Sequence, residues 1–115
     1  MLKVKADQYA HAVYKLWRKL PPDEKFGLTS QLRRAGLSVP LNIIEGYARQ
    51  SVKSETQFLI IAFGSLKESL YLLDFAVTET YLTPAEIVLA SQIGEELAKL
   101  LWTKIQRFKS QIAAA

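Results

Sequence analysis

The sequence predicts an all-α fold, an antiparallel up-down-up-down four-helix bundle that occupies residues 1–115 as one domain. Three observations carry this. Apolar residues recur at three- and four-residue steps in four separate segments. Pro21-Pro22, Ser51 to Ser54 and Thr83-Pro84 divide those segments with residues that stop or start helices. No stretch alternates apolar and polar residues as a half-buried strand would. A chain of 115 residues, half of them apolar, can bury one real core and is short for two.

The first helix is expected over 6–20, where Ala6, Tyr9, Val13, Leu16, Trp17 and Leu20 share a face and Pro21-Pro22 follows. The second is expected over 24–49, opening near Asp23 or Thr29. Its stripe is Leu28, Leu32, Ala35, Val39 and Ile43. The third is expected over 54–80, with Leu59, Ala62, Phe63, Leu66, Leu70, Leu73 and Val77 as its stripe and a serine between 51 and 54 as its cap. The fourth, 84–112, opens on Thr83-Pro84-Ala85-Glu86, a capping box with proline at the first helical position. Ala90, Ile93, Leu97, Leu100, Leu101, Ile105, Phe108 and Ile112 then share one face. Short connections between four helices imply antiparallel neighbours.

The middle helices carry more apolar surface than a lone bundle can cover. On a wheel at 100° per residue, Leu37, Leu41, Ile44 and Ala48 lie nearly opposite the core stripe of the second helix. The third helix adds Phe58, Ile60, Ile61, Tyr71, Leu72 and Phe75 around its circumference. A helix that is apolar all round is expected to be buried all round. Leu37, Leu41, Ile44, Ile60, Tyr71 and Phe75 are therefore candidate residues of an interface between copies.

The stretch SVPLNIIEGYAR, 38–49, interrupts an apolar helix with proline, asparagine, glutamate and glycine. Pro40 removes one N–H and crowds the carbonyl of Gly36. The wheel phase holds across it, so a kink near Pro40 is expected rather than a new helix capped by Ser38. Gln31, Arg34, Ser38, Asn42, Glu45 and Arg49 fall within about 80° beside the core stripe. Glu68 and Ser65 of the third helix are offered to them. Buried polar groups need partners, so this sector reads as a structural polar network. Glu45 has two candidate partners, Arg49 and Arg34. Gly46, Gly64 and Gly94 are positions where a neighbouring helix could come close.

The run GLTSQLRRAGLSVPLNIIEGYAR, residues 27–49, resembles the signature of the four helix bundle protein family, also called the 23S rRNA intervening-sequence protein family. That signature reads G-L-[TS]-x-Q-[IL]-R-R-A-[AS]-x-S-[IV]-[PA]-x-N-I-A-E-G-x-[GA]-R. The stretch FLIIAFGSLKESLYLLDFA, residues 58–76, resembles its second signature, F-L-x-I-A-x-G-S-L-x-E. Gly36, Leu41 and Ile44 depart from the alanine, serine and alanine expected there. The resemblance implies a four-helix bundle assembled into a ring-shaped homo-oligomer, typically a homopentamer. Some members are encoded within insertions in large-subunit rRNA genes. Related accessory proteins of diversity-generating retroelements form basic rings that bind nucleic acid.

Little in the composition points to catalysis. No cysteine is present, which excludes disulfides, thiolate metal sites and a cysteine nucleophile. His11 is the one histidine, and no Glu-x-x-His pair accompanies it. No P-loop or dinucleotide-binding glycine motif occurs. Two carboxylates, Glu45 and Glu68, are a weak acid–base or metal signal alone. The expectation is a non-enzymatic protein with no metal and no cofactor. The first residues lack an apolar signal core, and the longest apolar run is LIIAF at 59–63, so a cytoplasmic protein with no membrane contact is expected.

Charge supplies the functional lead. The net charge is +4. Lys15, Arg18, Lys19 and Lys25 cluster around the end of the first helix, and Arg33, Arg49 and Lys53 add to them. These seven are candidate contacts to RNA or DNA phosphates, a mode that reads no sequence. Five copies in a ring would carry about +20. The competing expectation is a structural or protein-interaction adaptor whose charge only keeps it in solution, with its protein partner unspecified.

Overall fold

The computed structural model describes residues 1–115 and contains four α-helices and one short 3₁₀ turn. They are α1 (Leu2–Trp17), α2 (Leu28–Tyr47), α3 (Val52–Thr78) and α4 (Pro84–Ala114), with the 3₁₀ turn at Pro22–Glu24. α1 begins at Leu2 rather than Ala6, because buried Leu2 gives the first turn an anchor. It ends at Trp17 rather than Leu20. α2 begins at Leu28: Pro22–Glu24 forms the 3₁₀ turn, and residues 25–27 turn onward from it instead of making a first helical turn. α3 starts at Val52 because Ser51 is its cap, accepting from the Ser54 N–H at 3.1 Å. At Thr83 both halves of the capping box form.

The helices pack as a closed square. α1 lies against α2 and α4, α3 lies against the same two, and α1 and α3 are diagonal. Val13, Leu32, Val39, Ile43, Leu59, Leu66, Leu73, Leu97 and Leu101 fill the centre with almost no exposure. Each such side chain contributes about 1.5–3 kcal/mol by leaving water. The molecule is an elongated rod of 50 × 24 × 20 Å.

α2 runs unbroken through Pro40. Asn42 Nδ2 donates to the Ser38 carbonyl and to Ser38 Oγ, both at 2.8 Å, so the asparagine braces the turn before it. Gly36 faces α1: a Cβ there would sit 3.0 Å from Val13 Cγ1. Gly94 is more demanding. A Cβ there would meet Leu70 Cδ2 at 2.7 Å and Tyr9 Cε1 at 2.9 Å, so only glycine leaves room for the Tyr9 ring. Gly64 has open space above it and admits no helix of this chain.

Tyr9 uses that room to cross the core. Its hydroxyl lies 2.6 Å from Ser69 Oγ, joining the diagonal helices α1 and α3. Ser69 donates to the Leu66 carbonyl at 2.9 Å, which leaves Tyr9 as the donor of the shared bond. α3 then ends with Thr80 in the left-handed region, φ 63°, while the Tyr81 N–H reaches back to the Ala76 carbonyl. This is a Schellman-type stop with a β-branched residue where glycine is usual.

Candidate nucleic-acid interface

The connection from α1 to α2 is stapled by Glu24. One carboxylate oxygen accepts from the Leu28 N–H at 3.0 Å, and the other accepts from the Tyr81 hydroxyl at 3.0 Å. The helix start is thereby fixed to the α3–α4 turn. The Glu24 carboxylate pushes the Tyr81 phenol above its usual pKa. No sequence periodicity points to Glu24, since both its partners depend on the folded path of the chain.

Beside this staple lies a cleft of about 430 Å³, lined by Trp17, Arg18, Lys25, Phe26, Arg33 and the two prolines among others. Three of the seven candidate phosphate contacts, Arg18, Lys25 and Arg33, thus come together. Each sits over an aromatic ring: Arg18 over Tyr14 at 4.8 Å, Arg33 over Trp17 at 5.1 Å and Lys25 over Phe26 at 5.4 Å. Tyr14 and Trp17 meet edge to face at 4.7 Å. None of the three cations has a carboxylate within salt-bridge distance.

The other four candidates lie elsewhere. Lys15 and Lys19 border a neighbouring groove between α1 and α4, with His11, Glu86 and Leu89. Lys19 is held by Glu86 at 2.9 Å, and that contact with the cap hydrogen bonds lowers the Glu86 pKa. Arg49 is held by Glu45 at 2.6 Å, near the far end of α2. Lys53 is exposed at the start of α3. His11 lies on the surface beside Asp7, 3.5 Å away.

The polar sector of α2 divides into pairs. Arg34 reaches Glu68 on α3 at 3.1 Å, and Ser38 Oγ meets Ser65 Oγ at 2.8 Å. With Asn42 on Ser38, these contacts cross the α2–α3 seam. Glu45 turns to Arg49, four residues on and just past the end of α2, so Glu45 and Glu68 each have their own arginine and do not form one site. Gln31 remains outside the network and lines a shallow cavity with Tyr71 and Phe75.

The outward surface of α2 and α3 is apolar. Leu37, Leu41, Ile44, Ile60, Tyr71 and Phe75 are all exposed, Leu41 at 61% and Tyr71 at 65%. Ile61 joins them, and Gly64 lies on the same side of α3. No helix of the structure is long and apolar enough to cross a membrane.

Comparison with known proteins places this bundle. A solved protein of unknown function from Bacteroides thetaiotaomicron VPI-5482, of the S23 ribosomal protein family, superposes with a TM-score of 0.84. The two are 27% identical, over 91% of this chain and 98% of that one. Among curated proteins there is no match. The sequence profile of the 23S rRNA-intervening sequence protein family matches residues 2–103. With both signature runs inside that span and four helices packed as described, the chain belongs to the 23S rRNA-intervening sequence protein family.

Proposed function

We propose that this protein is a non-enzymatic, ring-forming bundle, a homopentamer in the manner its family resemblance implies, that binds RNA or DNA without reading sequence. The observation that carries the nucleic-acid reading is the set of cations free of carboxylate partners at one corner, Arg18, Lys25 and Arg33, with Lys15 nearby. Unpaired cations are available to phosphate, whereas Lys19, Arg34 and Arg49 already have acids beside them. Repetition around a ring multiplies a modest charge into a strong field. Fluorescence anisotropy of a labelled structured RNA and a matched DNA duplex, titrated across a salt series, tests this. Log affinity is expected to fall linearly with log salt, with a slope of several charges. No binding at low salt would overturn it.

The second reading is a structural or protein-interaction adaptor. The exposed apolar face of α2 and α3 favours it, because contiguous apolar area of that kind marks a protein contact. In that case the ring still forms, and neither RNA nor DNA binds at low salt.

A further inference from the structure

We infer that the cleft between the end of α1 and the start of α2 takes an unpaired stretch of nucleic acid, one base stacking on Phe26 and adjacent phosphates lying on Arg18, Lys25 and Arg33. The inference deepens the nucleic-acid reading above and rests on it. Its first support is Phe26, which is 91% exposed. A phenylalanine in that position gains nothing for the fold of this chain, and it sits in the connection that Glu24 ties to the start of α2 and to the α3–α4 turn. Lys25 covers one face of the ring, which leaves the other open.

The second support is the neighbourhood. Trp17, half-buried, lines the same cleft, and its indole N–H is buried with no hydrogen-bond partner. Cations interleaved with aromatic rings are the arrangement that holds single strands: charge follows the backbone while rings take the bases. A duplex keeps its base faces stacked inside and offers only phosphates. The cleft's aromatic component therefore selects unpaired nucleotides, of RNA or DNA alike, since every base has a stacking face.

The test uses four labelled probes of equal length: oligo(dT), oligo(U), an abasic phosphodiester strand and a DNA duplex. Phe26 is exposed, so Phe26→Ala is expected to fold as the parent does, which circular dichroism checks. The replacement should weaken oligo(dT) and oligo(U) by about 5- to 150-fold, the loss of one stacked base. Binding of the abasic strand should not change, and Phe26→Trp should restore the single strands. Equal affinity of the parent protein for oligo(dT) and the abasic strand would overturn the proposal. So would unchanged oligo(dT) binding by Phe26→Ala. A lower oligomeric mass for Phe26→Ala in light scattering would also overturn it, assigning the ring to a contact between copies. In those cases general binding of nucleic acid survives. Failure of the wider reading looks different, because then no probe binds at low salt.

Discussion

Tyr9 and Ser69 share one hydrogen bond but depend on it unequally. Ser69 also donates to the Leu66 carbonyl, so losing the phenol leaves its hydroxyl satisfied. Tyr9 has no second partner. Tyr9→Phe should therefore cost about 1 kcal/mol, and Ser69→Ala, which strands a buried hydroxyl, about 1–3 kcal/mol. Urea denaturation of the two variants checks the order; a larger loss for Tyr9→Phe would contradict this account. Burial also pushes the Tyr9 phenol far above the usual tyrosine pKa. A raised acid of this kind gives its full stability below the unfolded pKa of about 10 and loses it as pH rises beyond. The alkaline decline in the urea midpoint above about pH 10 should be shallower in Tyr9→Phe. At this scale the sequence was partly legible. Tyr9 stood on the core stripe of its helix, and Asn42 and Ser38 stood together in the polar sector of α2. Ser69 carried no signal, because its partner is 60 residues away on a diagonal helix. Gly94 was marked as a place of close approach, and Gly64 was too. The pattern that marked both could not say which of them faces the core and which faces open space.

Among the helix ends, the start of α4 was the most legible. Thr83-Pro84-Ala85-Glu86 states its own geometry, since a hydroxyl and a carboxylate three residues apart satisfy two backbone donors with no help from the fold. Thr83→Ala should cost about 1 kcal/mol, within the 0.5–2 typical of lost caps. It should also free the Glu86 backbone N–H to exchange faster with solvent, which hydrogen-exchange measurements of the first turn of α4 would record. A midpoint unchanged within error would mean that tertiary packing alone holds that turn. The start of α2 was less legible. Its orphan donor is met by Glu24 from four residues upstream, and Glu24 is itself positioned by Tyr81. Local pattern cannot contain that arrangement. The end of α3 hides for a different reason, since a threonine at positive φ stands where the usual stop signal is glycine.

The whole molecule presents two unlike surfaces, an apolar side on α2 and α3 and a basic-aromatic corner at the α1–α2 connection. Under the proposed assembly the first is covered by other copies. Leu41→Glu, at an exposed position, leaves the core untouched and places a charge in that contact. Light scattering should then give a lower mass, with the helical circular dichroism signal retained. An unchanged mass would place the interface elsewhere. The excess apolar surface was legible from the wheel alone, because residues opposite a complete core stripe have no partner within four helices. The basic corner was legible as a charge cluster and no further. That Lys19 is neutralised by Glu86 while Arg18 and Arg33 are free depends on folding, whereas Glu45 with Arg49 is an i,i+4 pair that the spacing already offered. Of the rings beneath the free cations, only Trp17 under Arg33 comes from the packing of two helices; Tyr14 and Phe26 are sequence neighbours of Arg18 and Lys25.

The square of helices also has an order of assembly in it. The cleft draws all its walls from Trp17 to Arg33, so the α1–α2 hairpin can form it by local search. The Lys5–Glu96 contact that shuts the square spans 91 residues, against 27 for Ser38–Ser65 across the α2–α3 seam. Closing the longer loop costs only about 1 kcal/mol more, because chain entropy grows with the logarithm of length. Low contact order at the cleft and high contact order at the closing contact thus sit at opposite ends of one short helix, α1. The basic-aromatic corner can gather before Tyr9 locks the core, and Tyr81 then fixes the connection through Glu24.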